Sequence, residues 1–237
     1  MSVDPYDALA PYYRDYATRR GAYCDAVDRC VCAWRPPRAA AMLDVGSGDG
    51  GRAVRLAQRL HAGRLVLSDP SVAMAALCRE HDGVEVLHCA AEALPATAGS
   101  FDVITLLWNV LGHVDTRAQR LTALRRMASM LAPGGRLFLD VHNRYNMATA
   151  GRLRVVGRVL RDRLRDAETN GVVSFTWNVG TVWIPSSGYL FAPPDMQALF
   201  DDAGLVVVRR AWLHYGDGST AGPWSGQMVF ALERPEA

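Results

Sequence analysis

The sequence contains no lysine: all 26 basic residues of this 237-residue chain are arginines. Without a lysine amine, the chain cannot form the Schiff base of a pyridoxal-phosphate enzyme or a lysine aldolase. A P-loop nucleotidase is also excluded, because its phosphate-binding loop needs a lysine before the final Ser or Thr. The 24 acidic residues nearly balance the arginines, and a net charge of +2 gives no general reason to expect nucleic acid or a membrane as partner.

Other features are missing too. No segment reaches the ~18 apolar residues of a membrane-spanning helix, and the first residues lack the basic and apolar regions of a secretion signal. We therefore expect a cytoplasmic protein. The five cysteines are scattered, which predicts reduced thiols, and Cys24, Cys30 and Cys32 lack the spacing of a zinc site. No metal is expected.

Strand and helix patterns alternate regularly from residue 41 to residue 142. The runs at 41–45 and 102–108 are almost continuously apolar, as expected for strands that helices cover on both sides. The pattern predicts an α/β fold with a doubly wound, mostly parallel sheet and helices on both faces. Two further strands, at 205–212 and 228–232, have no helix between them and are predicted to pair antiparallel.

The remaining segments suggest a lid and a cap. Residues 1–38 read as an N-terminal helical lid, followed by a main domain at 39–237. Residues 143–190 interrupt the alternation and predict a cap inserted after the fifth strand. Within it, 151–166 has helical periodicity and six arginines, with Asp162 and Asp166 among them. We expect a solvated amphipathic helix or the surface of a homodimer there, rather than an RNA site.

A glycine-rich loop follows the first predicted strand and precedes a helix. Its glycines let the backbone turn tightly and approach a ligand closely. Gly46, Gly48 and Gly51 satisfy the G-x-G-x-x-G pattern of nicotinamide-dinucleotide sites. Asp69, which ends the second strand, can bind a ribose diol of either a dinucleotide or another cofactor. The loop alone therefore permits an NAD(P)-dependent oxidoreductase.

Three features argue against the dinucleotide. Asp44 stands two residues before Gly46, where an acid suits a cationic, amine-bearing ligand better than a pyrophosphate. The other two are the segments Ala-Ala-Glu-Ala-Leu-Pro and Ser-Phe-Asp-Val at 90–103, and Leu-Ala-Pro-Gly-Gly-Arg-Leu at 131–137. In this order, the motifs resemble the Rossmann-like, class I methyltransferases that use S-adenosylmethionine. The resemblance is strongest over residues 41–142.

The resemblance implies a fold, a cofactor and a reaction. The family's sheet has seven strands in the order 3-2-1-4-5-7-6, and its last-numbered strand is antiparallel. The cofactor would be S-adenosylmethionine, and the reaction a methyl transfer to N or O of a small-molecule acceptor. An NAD(P)-dependent oxidoreductase and a non-catalytic, cofactor-binding partner subunit remain as alternatives. No Asn-Pro-Pro-Tyr-type element follows the fourth strand, which argues against a nucleic-acid substrate. Because no segment is long and apolar enough to span a membrane, we expect no membrane partner either.

By this resemblance, the cofactor's methionine part lies against Gly46 and Gly48, and Asp69 binds both ribose hydroxyls. Family members commonly have an Asp before the Ala-Glu pair, whereas this chain has Ala90, so Glu92 or the backbone must bind the adenine amine. A lid tyrosine (Tyr12 or Tyr13) and a lid arginine (Arg19 or Arg20) would contact the methionine. The cofactor candidates are Tyr13, Arg19, Asp44, Gly46, Gly48, Asp69, Pro70, Ala91, Glu92 and Leu107.

The substrate candidates follow the fourth and fifth strands, where ligands of α/β sheets bind. These segments resemble the glycine N-methyltransferase branch of the family, but the alignment is offset by one residue, so a glycine substrate does not follow. Histidines at strand ends are also candidate general bases. The catalytic candidates are Asn109, His113 and His142, and the substrate-binding candidates are Asn109, His142, Arg144 and Tyr145. Six scattered aromatic residues could wall an acceptor pocket: Trp177, Trp183, Tyr189, Phe191, Tyr215 and Trp224.

Overall fold

A seven-stranded sheet runs through the protein, and the structure, a computed structural model, describes residues 5–165 and 168–235. The strands, in chain order, are β1 (Ala41–Val45), β2 (Arg64–Asp69), β3 (Val84–His88), β4 (Phe101–Leu106), β5 (Leu131–Val141), β6 (Val172–Val179), β7 (Val182–Tyr189), β8 (Val206–Leu213) and β9 (Gln227–Glu233). Strands β6 and β7 pair with each other, and the remaining strands make the sheet in the order β3-β2-β1-β4-β5-β9-β8.

The topology of this sheet confirms the predicted fold. When only its own strands are numbered, the order is 3-2-1-4-5-7-6. Strands β1 to β5 pair in parallel, whereas β9 is antiparallel to both β5 and β8. The carboxyl ends of β1, β2, β4 and β5 therefore meet at one edge, where loops of an open α/β sheet form ligand sites.

Helices flank the sheet, and several of them begin at side-chain caps. They are α1 (Pro5–Leu9), α2 (Tyr13–Thr18), α3 (Gly21–Ala33), α4 (Gly51–Leu60), α5 (Val72–Cys78), α6 (Arg117–Ser129), α7 (Met147–Ala150), α8 (Arg152–Leu164) and α9 (Pro193–Ala203). Ser71 is the N-cap of α5 and accepts a hydrogen bond from the Met74 amide at 3.1 Å. Thr116 and Gln119 form a capping box at the start of α6.

Two apolar cores lie on the two faces of the sheet. Successive side chains of a strand point to opposite faces. Accordingly, Leu43 and Val45 of β1 belong to the core beneath α6 and α9, whereas Met42 belongs to the core beneath α3 and α4. A third cluster joins the lid to the cap through Leu9, Met74 and Trp177.

The N-terminal segment has two structural parts. Helix α3 buries Tyr23, Val27 and Val31 against the sheet, so it packs as a core helix. Helices α1 and α2 lie instead over the sheet's ligand-binding edge. They are attached through Asp7, which accepts hydrogen bonds from the Ser71 hydroxyl at 2.5 Å and the Ala73 amide at 3.1 Å.

Strand β5 starts earlier than the sequence pattern suggests. The pattern ends a helix at Leu131 and begins a strand at Arg136, yet β5 already begins at Leu131, opposite Phe101. The register shifts before the next pair, Val103 with Arg136. The intervening Gly135 has no room for a side chain, since a Cβ would lie 2.9 Å from the Phe101 carbonyl oxygen. Glycine thus permits an irregular strand where the sequence suggests a turn.

The cap contains α7, α8 and the β6–β7 hairpin, and part of the predicted basic helix, Asp166, lies outside the described residues. All five cysteines are free thiols. Among the helices of the described ranges, none combines the length and hydrophobicity that crossing a bilayer requires. Over the same ranges, no three His, Cys, Asp or Glu side chains are grouped to hold a metal ion.

Candidate functional site

A cavity of about 460 Å³ opens at the carboxyl ends of the parallel strands, between the sheet, the lid and the cap. The glycine loop after β1 forms one end. The residues after β4 and β5, together with aromatic side chains of the lid and cap, form the other. A cavity of this size suits a small-molecule ligand.

The glycine loop requires glycine at two positions. Gly46 and Gly48 have φ angles of +71° and +58°, which side-chain-bearing residues rarely adopt. A Cβ on Gly46 would lie 2.5 Å from a methyl group of Val110, and one on Gly48 would lie 2.4 Å from the Tyr13 hydroxyl. Tyr13 of the N-terminal segment therefore lies directly against the loop.

Asp69 lies buried at the base of this loop. Its Oδ2 accepts a hydrogen bond from the Gly48 amide at 2.9 Å, and its Oδ1 accepts one from the Ser71 amide at 2.9 Å. A carboxylate oxygen can accept more than one hydrogen bond, so Asp69 can still bind ligand hydroxyls. The same carboxylate thus fixes the loop and faces the cavity.

Several further cofactor candidates line the cavity beside Asp69. Pro70 follows Asp69, and Leu107 follows β4. Ala91 and Glu92 form a short 3-10 turn, in which the Glu92 carboxylate accepts a hydrogen bond from the Gln119 side chain at 3.3 Å. The Glu92 side chain is therefore held in place by α6.

A strained turn follows β4. Trp108 and Asn109 have φ angles of +66° and +62°, an unusual pair of left-handed conformations for residues with side chains. Asp140, wholly buried at the end of β5, accepts hydrogen bonds from the Trp108 amide at 2.5 Å and from the Tyr23 hydroxyl at 2.7 Å. Burial raises the pKa of Asp140. This carboxyl group holds the turn in its conformation.

His142 is positioned through the same turn. Its backbone amide donates to the Asn109 side-chain oxygen at 2.8 Å, and its ring meets the Tyr215 ring edge-on with 4.9 Å between centroids. The buried Nε2 of His142 has no hydrogen-bond partner within the described protein. Because buried polar atoms are normally paired, an unpaired imidazole nitrogen beside a cavity indicates that a ligand completes it.

Both histidines of the cavity are held neutral. Burial, with smaller repulsion from His113 and Arg20, lowers the pKa of His142 to about 4, and burial lowers that of His113 to about 4. Neither ring therefore carries a charge at pH 7, and each neutral ring can accept a hydrogen bond from a ligand.

We expect the rings of His113 and His142 to titrate near pH 4. Histidine in the unfolded chain titrates near ~6.5, so below that pH the unfolded state binds more protons than the folded one. Each ring therefore contributes stability above pH ~6.5 that is lost as the pH falls toward 4. Histidine-ring NMR, assigned with His142→Gln and His113→Gln variants, measures this directly; titration of either ring near its ordinary value would contradict the buried, neutral state.

Aromatic side chains wall the acceptor end. The Tyr16 and Trp108 rings stack with 5.6 Å between centroids, and Tyr6 packs edge-on against Trp177 at 4.9 Å and against His113 at 5.4 Å. Such a wall favours a flat, largely apolar ligand and excludes water.

Three of the six predicted wall aromatics line the cavity: Trp177, Tyr189 and Tyr215. Trp183 is exposed, Phe191 lies in the core, and Trp224 stacks on Tyr145. Trp108 and Phe175 also line the cavity, although the sequence pattern does not predict them as wall residues. Trp108 closes the apolar run at 102–108, and Phe175 lies in the β6–β7 hairpin. At neither position does the sequence distinguish a side chain that lines a cavity from one that packs in the core.

Two substrate candidates lie outside the cavity. Arg144 is buried behind it, with Nη2 at 2.7 Å from Asp162 and 3.5 Å from Asp195. Tyr145 donates its hydroxyl hydrogen bond to Asp162 at 2.8 Å. The chain turns away after His142 and both side chains bind Asp162, so neither lines the cavity, and their contact with the acceptor stays a prediction.

Two of the cofactor candidates, Arg19 and Asp44, do not line the cavity. Arg19 donates to the Asn178 carbonyl oxygen of β6 at 2.8 Å, which attaches the lid to the cap. Asp44 lies under the glycine loop, where its carboxyl group accepts a short hydrogen bond from Thr105. Burial raises the pKa of Asp44 to about 6. Neither residue lines the cavity, so neither is placed for the ligand contact predicted for it.

Comparison with known proteins identifies related sequences and folds. A family model described as a methyltransferase domain matches residues 42–135. A demethylmenaquinone methyltransferase of Thermus thermophilus is 31% identical over 189 residues, which are 74% of this chain and 81% of that protein. A ubiquinone biosynthesis O-methyltransferase of Xanthomonas axonopodis pv. citri is 33% identical over 178 residues, 69% and 71% of the two chains.

A solved structure has the same fold over almost the full length. It is the S-adenosylmethionine-bound amino pentose methyltransferase CalS10 of Micromonospora echinaspora, which superposes with a TM-score of 0.61 at 19% identity. The match covers 99% of this chain and 98% of that one. The similarity of the Asn109 and His142 segments to glycine N-methyltransferases stays a prediction.

Proposed function

This chain belongs to the class I, Rossmann-like methyltransferases that use S-adenosylmethionine, and from that premise we propose that it methylates a hydroxyl oxygen of a small, flat, largely apolar acceptor. Membership of this family also removes the main support for the NAD(P)-dependent alternative, since the literal G-x-G-x-x-G pattern occurs here in a methyltransferase sequence. Our proposal concerns the chemical class of the methyl acceptor.

The glycine end of the cavity fits S-adenosylmethionine. Gly46 presents bare backbone beside Val110 and Gly48 presents it beneath Tyr13, which suits the methionine part. The fixed carboxylate of Asp69 suits the two ribose hydroxyls, and Pro70 with Leu107 offers apolar surface for the adenine. When bound, S-adenosylmethionine supplies an activated methyl group.

The unpaired His142 Nε2 carries the proposal of an oxygen acceptor. A neutral imidazole nitrogen can accept the hydrogen bond of a hydroxyl group, and it can take the proton as the new bond to the methyl group makes that oxygen acidic. Asn109 supports this role by holding the His142 backbone at 2.8 Å. His113, at the opposite wall, is a second neutral acceptor for a polar substituent.

The aromatic wall supports a ring-shaped acceptor. Tyr16, Trp108 and Trp177 present flat surfaces, and no arginine lines this cavity among the described residues, so nothing there selects a carboxylate. The related O-methyltransferase of ubiquinone biosynthesis supports the same acceptor class.

The test is methyl transfer to a matched acceptor panel. Purified protein would be incubated with methyl-labelled S-adenosylmethionine and with phenols, the corresponding anilines and aliphatic amines, and the products identified by mass spectrometry. We expect label on the phenolic oxygen. Label only on nitrogen or carbon would refute the oxygen assignment. Binding of S-adenosylhomocysteine without any turnover, on the panel or in a host extract, would favour the non-catalytic partner subunit.

We expect Asp69→Ala to weaken binding of S-adenosylhomocysteine by about 2 kcal/mol, roughly 30-fold. The substitution removes an acceptor for the ribose hydroxyls and frees the Gly48 amide. Isothermal calorimetry measures the effect. Asp82→Ala is the matched control, because the Asp82 side chain is exposed and does not line the cavity. Equal affinities of the two variants would contradict the assignment of Asp69.

A further inference from the structure

Helix α8 carries a stripe of apolar side chains that faces solvent. Leu153, Val156, Leu160 and Leu164 are spaced by three, four and four residues, which puts them on one face of a helix. Their exposed fractions are 91%, 50%, 53% and 83%. The opposite face is anchored, since Val155 is buried and Asp162 binds both Arg144 and Tyr145. The stripe therefore points outward in the folded protein.

Arginines flank this stripe on both sides. At 100° per residue, Arg152 and Arg163 lie along one edge, and Arg154 and Arg161 lie along the other. All four are exposed. An apolar stripe bordered by cationic side chains is the pattern of helices that lie in the plane of a membrane surface, with apolar groups among the acyl chains and cations at the headgroups.

Charge argues against the other occupants. A second copy facing α8 would bring arginines against arginines, and the acidic group of α8 in its described part, Asp162, is already bound by Arg144. Nucleic acid would satisfy the arginines but would leave the exposed leucines against a polar backbone. We propose that α8 docks the protein on an anionic phospholipid surface, with the leucine stripe inserted at the interface.

A basic cavity beside the stripe supports the inference that the lipid headgroup bound there is anionic. It measures about 350 Å³ and is lined by Arg144, Arg154, Arg158 and Arg161. Arg144 is only 4% exposed, and its Nε and Nη1 have no hydrogen-bond partner within the described protein. Burial and repulsion from the neighbouring arginines lower the pKa of Arg158. A phosphate group would relieve that repulsion and pair with the free guanidinium nitrogens.

The experiment is vesicle flotation of the full-length chain, without added cofactor or acceptor, so that its outcome is independent of the proposed methyl transfer. We expect binding to vesicles of equal phosphatidylcholine and phosphatidylglycerol, no binding to phosphatidylcholine alone, and a decrease with added salt. Leu153→Asp/Leu164→Asp should weaken binding at least about tenfold. Because both side chains are almost fully exposed, the thermal midpoint should be unchanged, and Leu153→Ile/Leu164→Ile should bind as the parent does.

A pair of charge variants tests whether vesicle binding depends on the arginines of α8 or on positive charge anywhere on the protein. Arg152→Gln/Arg163→Gln should weaken binding, whereas Arg209→Gln/Arg210→Gln, which removes two exposed arginines from β8, should not. Failure of the parent protein to bind anionic vesicles would overturn the proposal. The proposal would also be overturned if the Leu153→Asp/Leu164→Asp variant bound vesicles as well as the parent protein does. Two further outcomes would contradict it: RNA binding that requires the arginines but not the leucines, and a dimer that Leu153→Asp/Leu164→Asp converts to monomer.

Discussion

Replacing His142 with glutamine is expected to lower kcat by about 10²–10⁴-fold, the usual contribution of a positioned general base. Glutamine can still accept a hydrogen bond from the acceptor hydroxyl, but it cannot take the proton. KM for the acceptor should therefore change much less than kcat. The measurement is steady-state methylation of the best phenol from the acceptor panel.

Two comparisons separate this role from mere positioning. His142→Ala removes the hydrogen bond as well, and should raise KM in addition to lowering kcat. His214→Gln alters a histidine that pairs with Asp217 away from the cavity, and should leave both constants unchanged. If His142→Gln retained the parent kcat, the ring would only position the acceptor, and the proposed proton transfer would be wrong.

Asp140→Ala should lower the free energy of unfolding by about 3–5 kcal/mol. The substitution leaves the Trp108 amide and the Tyr23 hydroxyl buried without an acceptor and opens a void at the end of β5. It also releases the left-handed turn that carries Asn109, so binding of S-adenosylhomocysteine should weaken as well. Urea unfolding and calorimetry measure the two effects.

Two further variants give smaller expected losses in the free energy of unfolding, against which Asp140→Ala can be compared. Tyr23→Phe removes one of the two donors and should cost about 1 kcal/mol. Asp25→Ala, on the exposed side of the same helix α3, should change stability by no more than ~0.5 kcal/mol. A loss in Asp140→Ala no larger than that in Asp25→Ala would show that the carboxyl group does not hold the turn.

The sheet and the glycine loop could be predicted because their signals are local. Apolar runs, helical periodicity and glycines with a required positive φ are all visible in short windows of sequence. Gly46, Gly48 and Asp69 come together at one edge because the carboxyl ends of β1 and β2 are adjacent. Once the parallel order is known, their proximity follows.

The residues after β5 were harder to predict because orientation at a strand end depends on single positions. His142 faces the cavity, but two residues later Arg144 points behind it into Asp162. A strand's alternation would have put both on one side; the chain instead leaves the strand at Val141 and turns. The sequence pattern therefore does not show that the Arg144 guanidinium pairs with Asp162.

The turn at Trp108 and Asn109 gives only a weak sequence signal, since asparagine is enriched in left-handed backbone but tryptophan is not. Left-handed backbone is predictable at glycine, whereas here tertiary contacts, above all with Asp140, impose it on larger residues. The aromatic wall is similarly hidden, because Tyr6 and Tyr16 come from the first helices and Trp177 from the distant hairpin. Only the fold brings them together.

The lid has a kinetic consequence, because one short segment covers both ends of the cavity. Tyr13 lies over the glycine loop, while Tyr6 and Tyr16 wall the acceptor end. Arg14 and Arg19 fasten that segment to Asp49 at 3.2 Å and to the cap at 2.8 Å. A product or a spent cofactor that leaves past this segment has to break the same contacts, so a single opening of α1 and α2 would release both.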